Sequence, residues 1–214
     1  MLKAFYKQNQ EKNWANYQAD ATDPTDAADC LRWRLSSNFN MKILIIGSSG
    51  AEKSTLSKKL GEQTGLRVIH LDKIHWKPNW TEPEKDEWKA TLEKVMREDE
   101  AWIMDGNFSG TLDLRVPACD TIIFLEMPPA VCIYRVLKRV AFSYKKTRPD
   151  MADGCPEQFD WEFLKWIWDF KNRSKPKIEK ILKQYENEKT VIRLKSKREV
   201  EHFLVNFSQN NVLK

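Results

Sequence analysis

The amino-acid sequence predicts an α/β fold with a five-stranded parallel sheet and helices on both faces. Five short apolar segments alternate with segments that have the periodicity of amphipathic helices. Strands buried on both faces are typical of parallel sheets, because the connecting helices cover both sides. Ligands of such sheets bind beyond the carboxyl ends of the strands, so the residues that follow each strand are the candidates for function.

The composition limits the class of protein. The 214 residues are 41% hydrophobic and 11% aromatic, which suits one α/β domain with an extension. A net charge of +5 does not by itself indicate a nucleic-acid binder. No apolar run approaches the roughly 20 residues of a membrane span, and none resembles a secretory signal. The scattered cysteines form no C-x-x-C pair, so the sequence indicates neither a zinc site nor a disulfide framework. This pattern predicts a cytoplasmic protein with reduced thiols.

Residues 1–40 differ in composition from the rest of the chain. Small and polar residues dominate, and only Trp33, Leu35 and Phe39 could anchor this segment to a core. Met41 stands directly before the first predicted strand. We therefore expect residues 1–40 to be a poorly ordered or loosely packed extension, and residues 41–214 to form the domain.

The predicted elements follow one another in the order expected of this fold. The strands cover residues 43–46, 67–72, 101–105, 121–125 and 190–194. Helices are predicted after the first strand, from the capping box at residues 81–84, over residues 129–144 and 161–170, from Ser174, and at the C-terminal end. Residues 146–158 contain two prolines and a glycine and are predicted to form a loop.

The loop after the first strand nearly matches the phosphate-binding motif G-x-x-x-x-G-K-[ST]. Its residues are Gly47, Ser48, Ser49, Gly50, Ala51, Glu52, Lys53, Ser54 and Thr55. Successive backbone N–H groups in such a loop bind anions, and the N-terminus of the following helix adds its positive dipole end. The loop therefore predicts a phosphate-binding site with Mg²⁺, in which Lys53 reaches the outer phosphates and Ser54 helps to hold the metal.

One residue departs from this motif. Glu52 stands where the motif has glycine, at a position that usually has a positive φ. A residue with a Cβ atom loses of order 1–3 kcal/mol in that conformation. A carboxylate about 4 Å from a phosphate would cost on the order of 4 kcal/mol, although a side chain turned into solvent escapes much of this. The sequence leaves open whether Glu52 weakens ATP binding strongly or hardly at all.

Two predicted strands end on carboxylates, Asp72 and Asp105. One alternative is that they only cap the helices that follow. The functional alternative assigns Asp105, on a strand expected beside the first, to Mg²⁺ through a water molecule. Asp72 would then orient or deprotonate the hydroxyl group that accepts the phosphoryl group.

The segment from residue 127 to residue 149 has six basic residues and no acidic one. Arg135 and Arg139 are four residues apart and share one helical face. From this face they could reach transferred phosphates, and Arg148 could close over the phosphates on a mobile loop. A solvated helix face is the first alternative. A nucleic-acid surface is the second, although no DNA-binding module is recognisable.

Several segments in order resemble the bacterial DNA topology modulation proteins, which belong with the adenylate kinase-like and shikimate kinase-like P-loop kinases. Within residues 41–207, the resemblance rests on residues 70–78, 102–115, 120–128, 134–140 and 147–157. It implies a three-layer P-loop NTPase fold with a lid over residues 142–160.

The same resemblance also implies a function. It implies a phosphotransferase that moves the γ-phosphoryl group of ATP to a small-molecule acceptor, with Mg²⁺. Arg135 and Arg139 match the arginine pair at the base of the lid, and Lys195 and Ser196 would lie near the adenine. A nucleotide-binding regulator of DNA topology, or a degenerate P-loop protein without turnover, is the alternative. The sequence does not choose between a monomer and a homodimer.

Overall fold

The computed structural model describes residues 41–209, so the predicted extension over residues 1–40 lies outside the described residues. The strands are β1 (Lys42–Gly47), β2 (Arg67–His70), β3 (Trp102–Asp105), β4 (Thr121–Leu125) and β5 (Thr190–Leu194). They form one parallel sheet in the order β2-β3-β1-β4-β5. The predicted five-stranded parallel sheet is confirmed, with β1 at its centre and β3 beside it.

Helices cover both faces of this sheet. They are α1 (Lys53–Thr64), α2 (Leu71–His75), α3 (Lys85–Glu98), α4 (Leu112–Ala118), α5 (Pro129–Ser143), α6 (Trp161–Trp168), α7 (Phe170–Arg173), α8 (Lys175–Gln184) and α9 (Lys197–Gln209). Short 3₁₀ turns occur at Pro78–Trp80 and Ser109–Thr111.

The alternation of side chains along β1 separates two apolar cores. Ile43 and Ile45 pack with residues of α1, α5, α6 and α9, whereas Leu44 and Ile46 pack with residues of α3, α4 and α8. Successive side chains of a strand point to opposite faces, so one continuous apolar strand supplies both cores. The predicted three-layer α/β fold is confirmed.

Three details differ from the sequence-based prediction. The second strand ends at His70, so Asp72 is not a strand-terminal residue but the second residue of α2. The reason is that the pairing of β2 with β3 ends at His70 and Asp105, after which the chain has no strand partner. Helix α4 was not predicted, because it has only seven residues and contains a proline. The aromatic helix predicted over residues 161–170 is divided at Asp169 into α6 and α7.

Candidate active site

The phosphate-loop geometry depends on two glycines. Gly47 has a φ of 148°, and a Cβ atom there would lie 2.6 Å from the carbonyl oxygen of Leu125 on β4. Gly50 has a φ of 78°, and a Cβ atom there would clash with the backbone of Cys132 at the start of α5. The Nζ of Lys53 donates to the carbonyl oxygen of Ser48 at 3.0 Å, so the lysine folds back over its own loop. The loop therefore has the compact conformation that the motif predicts.

The structure brings Lys53, Asp72 and Asp105 into one electrostatic environment. Burial lowers the pKa of Lys53, and the charges of Asp72 and Asp105 oppose this shift. Burial also raises the pKa of Asp72, and the charge of Lys53 opposes it. A carboxylate with a raised pKa is a stronger base, which suits proton acceptance from a hydroxyl group. Helix α2, rather than a strand end, presents Asp72 to the site.

Asp105 is already hydrogen-bonded within the protein. Its Oδ2 accepts from the Ser57 hydroxyl at 3.1 Å, and its Oδ1 lies 2.9 Å from Nδ1 of His70. This second hydrogen bond raises the pKa of His70. Each carboxylate oxygen has a further lone pair, so water molecules on Mg²⁺ can still reach it. The assignment of Asp105, through water, and of Ser54 in the first turn of α1 to Mg²⁺ stays a prediction.

Glu52 adopts the left-handed conformation that the motif normally reserves for glycine. Its φ and ψ are 70° and 31°, as predicted. Its carboxylate lies 3.0 Å from Nη2 of Arg135, and Nη1 of the same arginine lies 3.3 Å from the carbonyl oxygen of Gly50. The residue that departs from the motif is thus paired with one of the two arginines that the sequence assigns to phosphate binding.

The other two predicted arginines share carboxylates of the predicted lid. The side chain of Arg139 lies 2.9 Å from Glu157, which is 4% exposed and also contacts Arg148. Arg148 makes a second ion pair, 2.7 Å long, with Asp150. Burial lowers the pKa of Arg139, and the charge of Arg148 adds to this effect. Both arginines are therefore ion-paired with carboxylates of residues 150–157 in the described structure.

A loop over residues 144–157, within the lid predicted at residues 142–160, contacts the segment over residues 76–81. The backbone N–H of Lys145 donates to the carbonyl oxygen of Glu157, and the backbone N–H of Glu157 donates to that of Lys146, both at 2.9 Å, and these bonds hold the ends of the loop together. The carbonyl oxygen of Gly154 accepts from the backbone N–H of Asn79 at 3.0 Å. Residues of both segments form a small apolar cluster. The described structure therefore has this loop in a closed position, and its opening stays a prediction.

A cleft of about 1110 Å³ lies between these elements. Lys53, Asp72, Arg139 and Arg148 all line it, together with several aromatic side chains from α2, α3 and α6. Four of the five residues predicted to be catalytic thus meet at one cavity. The fifth, Arg135, lies beside it on the phosphate loop.

The sequence reasoning missed Arg115 of α4. It is completely buried, and its guanidinium donates to the carbonyl oxygens of Gly106, Asn107 and Phe108 at 2.7–3.0 Å. Burial without a partner carboxylate lowers its pKa to about 9. Arg115 fixes the loop after β3, which carries Asn107 and Phe108 into the cleft. No local pattern marks it, because its partners are backbone carbonyls.

Lys195 and Ser196 form a helix cap after β5. The backbone N–H of Lys195 and the hydroxyl of Ser196 donate to the carboxylate of Glu199 at 2.8 and 2.9 Å, and the backbone N–H of Glu199 donates to Ser196. This is a capping box at the start of α9. Their position near an adenine stays a prediction.

Comparison with known proteins gives relatives of low similarity. No family model matches the chain. The uncharacterized protein YqaC of Bacillus subtilis (strain 168) is 28% identical over 125 residues, which are 58% of this chain and 69% of that protein. Membership of the DNA topology modulation family therefore stays a prediction.

Solved kinase structures are similar at low identity. A deoxyadenosine kinase from M. mycoides with bound dCTP is 15% identical, covers 79% of this chain and 100% of its own, and has a TM-score of 0.42. A shikimate kinase from Bacteroides thetaiotaomicron is 16% identical over 79% and 97% of the two chains, with a TM-score of 0.44. A gluconokinase from Sinorhizobium meliloti is 15% identical over 80% and 95%, with a TM-score of 0.45. A likeness at this identity extends to the fold and not to the activity.

The helices of residues 41–209 were also compared with the requirements of a membrane span. None of them combines the necessary length with the necessary apolar character.

Proposed function

We propose that this chain is an ATP-dependent phosphotransferase that moves the γ-phosphoryl group of ATP to a hydroxyl group of a small molecule. The observation that supports this most is the single cleft lined by Lys53, Asp72, Arg139 and Arg148 beside a phosphate loop. Phosphoryl transfer depends mainly on positioning and on stabilisation of charge, and these residue types supply both.

The proposed roles follow from the geometry. Backbone N–H groups of residues 48–54 and Lys53 bind the ATP phosphates. When bound, Mg²⁺ neutralises charge on the phosphates, and Ser54 with Asp105 are the residues that would hold it. Arg139 and Arg148 stabilise the charge on the transferred group. The turn at Lys195 is proposed to lie near the adenine.

The reaction proposed at Asp72 balances in one displacement. The acceptor oxygen forms a bond to the γ-phosphorus, and the bond from this phosphorus to the β,γ-bridging oxygen breaks. ADP leaves with that electron pair, and the hydroxyl proton passes to the Asp72 carboxylate. The buried free thiols Cys119, Cys132 and Cys155 agree with a reducing compartment, so we place this reaction in the cytoplasm.

The test measures ADP formation by the full chain with ATP, Mg²⁺ and a panel of nucleosides, nucleoside monophosphates and small alcohols. Lys53→Ala should abolish turnover and weaken ATP binding, whereas Asp72→Asn should reduce turnover and leave ATP binding intact. Lys58→Ala is the matched control, because Lys58 lies on the same helix with its side chain 75% exposed. Tight ATP binding without turnover on any acceptor would reject the kinase function.

A second candidate function is a nucleotide-binding protein that contacts nucleic acid. Helix α5 and the residue after it expose Tyr134 (65%), Phe142 (77%) and Tyr144 (55%), and nearby lysines are exposed as well. Exposed aromatic rings among basic residues can stack bases of single-stranded DNA. Binding of a single-stranded oligonucleotide that weakens steeply between about 50 and 200 mM salt would favour this alternative. No binding at the lower salt concentration would dismiss it.

A degenerate P-loop protein is the remaining alternative. Its signature would be failure of the natural protein to bind any nucleotide, and ATP binding gained only in Glu52→Gly would favour it.

A further inference from the structure

Several buried polar atoms of residues that line the cleft, Nε1 of Trp80 among them, have no hydrogen-bond partner within the described part of the chain. Two others are Nδ1 of His75 and Oδ1 of Asn107, and each of these two residues is 8% exposed. Both residues line the cleft. Buried polar atoms are normally hydrogen-bonded, so these two atoms can take a bound molecule as their hydrogen-bond partner.

Aromatic rings surround the ring of His75. The ring centroid of His75 lies 4.4 Å from that of Phe108, 4.6 Å from that of Trp88 and 5.0 Å from that of Trp76. The ring of Trp80 continues this group at 5.5 Å from Trp76. All five rings line the cleft, which makes this part of its wall suited to a planar ring.

Backbone strain is concentrated at two of these aromatic residues. Trp80 has a φ of 60° and Phe108 has a φ of 24°, values that side chains with a Cβ atom rarely adopt. Hydrogen bonds between Lys77 and Thr81 hold the turn with Trp80, and Arg115 holds the carbonyl oxygen of Phe108 at 2.9 Å. Strain that the surrounding structure maintains is characteristic of ligand-binding positions.

The orientation of a bound molecule follows from α2. Asp72 and His75 are three residues apart on this helix and therefore share one face. Asp72 lies in the electrostatic environment of Lys53, and so marks the end of the cleft at which phosphoryl transfer is proposed. His75, one helical turn further along α2, and Asn107 line the same cleft, so we assign the acceptor's ring to the aromatic group around His75.

The charge of the cleft argues against an anionic acceptor. Acidic and basic side chains line it in equal number, five of each. Arg139 and Arg148 are paired with buried or half-buried carboxylates, and Lys53 is assigned to ATP. Lys85 and Lys89 also line the cleft, but both are exposed, where solvent screens their charge. Among the described lysines and arginines that line the cleft, none is both buried and left unpaired for a phosphate on the acceptor.

We propose that this aromatic part of the cleft is the acceptor subsite, and that it takes an uncharged heteroaromatic alcohol such as a nucleoside. A nucleoside monophosphate lacks a cationic partner there, and an aliphatic polyol has no ring to pack against the aromatic side chains. The Oδ1 of Asn107 accepts from an N–H group at the edge of the heterocycle. Burial lowers the pKa of His75, so its neutral ring can donate or accept at Nδ1. This proposal rests on the phosphotransferase function proposed above.

Direct binding tests the proposal without requiring turnover. Isothermal titration of the full chain, in the presence of Mg²⁺ and a non-hydrolysable ATP analogue, would compare four nucleosides, their 5′-monophosphates, gluconate and glycerol. We expect at least one nucleoside to bind at least tenfold more tightly than its own monophosphate and than either polyol. Tighter binding of a monophosphate or of a polyol would overturn the proposal, and so would the absence of nucleoside binding.

Two variants test the named atoms. His75→Phe keeps an aromatic ring and removes Nδ1, and Asn107→Leu keeps the shape and removes Oδ1. Each should weaken nucleoside binding at least tenfold, whereas Trp168→Ala, at a site 62% exposed, should leave it unchanged. Unchanged nucleoside affinity in both cleft variants would overturn the assignment. If a variant fails to fold, the ratio of the dissociation constants of a nucleoside and its monophosphate, measured on the natural protein, decides the question.

The two proposals fail in different ways. ATP binding that does not depend on Lys53 would reject the proposed function. Lys53-dependent turnover on a polyol or on a monophosphate, by contrast, would uphold that function and reject only the nucleoside subsite.

Discussion

Replacement of Glu52 by glycine should strengthen ATP binding and leave stability almost unchanged. The substitution removes the strain of a left-handed residue with a Cβ atom, of order 1–3 kcal/mol. It also adds chain entropy to the unfolded state, about 0.4–1 kcal/mol. The substitution also removes the ion pair between Glu52 and Arg135. The side chain of Glu52 is 45% exposed, and solvent-exposed ion pairs contribute about 0.2–1 kcal/mol to the free energy of unfolding. These contributions nearly cancel, so the free energy of unfolding should change by about 1 kcal/mol or less.

The effect on ATP arises from Arg135. In the natural protein this arginine is occupied by Glu52 and by the carbonyl oxygen of Gly50. Without the carboxylate, it becomes available for a charge-assisted hydrogen bond to a phosphate, which contributes about 1.5–3 kcal/mol. We therefore expect the dissociation constant for ATP with Mg²⁺ to fall by roughly ten- to a hundredfold in isothermal titration.

Two further variants separate charge from strain. Glu52→Gln keeps the strained backbone but removes the charge, so it should give most of the gain. Adding Arg135→Ala to Glu52→Gly should cancel the gain if the freed arginine binds phosphate. Affinities within twofold for the natural protein, Glu52→Gly and Glu52→Gln would refute this reasoning, because the carboxylate would then have no influence on the phosphates.

Four further predictions concern stability, pH and the loop over the cleft. Arg115→Lys should lower the free energy of unfolding by about 2–4 kcal/mol, because an ammonium group cannot reach three carbonyl oxygens at once. The control Arg67→Lys changes an exposed ion pair and should lower the free energy of unfolding by less than about 1 kcal/mol. In the unfolded chain His75 has its ordinary pKa of about 6.5, whereas burial lowers its pKa in the folded protein. The unfolded state therefore binds the proton more readily, and His75 makes the protein less stable as the pH falls below about 6.5. His75→Phe should therefore flatten the decline in urea stability between about pH 6.5 and 5, and an identical slope in both proteins would contradict this. Gly154 has a φ of 76°, and Gly154→Ala places a Cβ atom there, 3.0 Å from the side chain of Pro78 in the opposing segment. The substitution should therefore raise KM for the acceptor several-fold and change the ATP affinity little. An unchanged KM would argue against a lid role for this loop. Deletion of residues 1–40 should leave Tm nearly unchanged in thermal unfolding, and a large loss would show that they belong to the folded domain.

The sequence by itself determined the strands and the phosphate loop. Apolar continuity over β1, β3, β4 and β5 is a local property, and burial on both faces leaves few alternatives to a parallel sheet. The positive φ at Glu52 was likewise predictable, because the loop motif constrains its own backbone. Local signals failed at Asp72, where the end of the partner strand, and not the sequence of β2, decides where the helix begins.

Only the tertiary structure decided how the charged groups of the site are paired. Gly50 and Arg135 are 85 residues apart, and their contact exists because α5 packs against the phosphate loop. Glu157 lies between Arg139 and Arg148 because the 144–157 loop folds back on itself. His75 and Asn107 come from different segments, and only packing brings their unpaired atoms to one cleft. Periodicity and motif spacing act over a few residues, whereas ion pairing and burial depend on which distant segments meet.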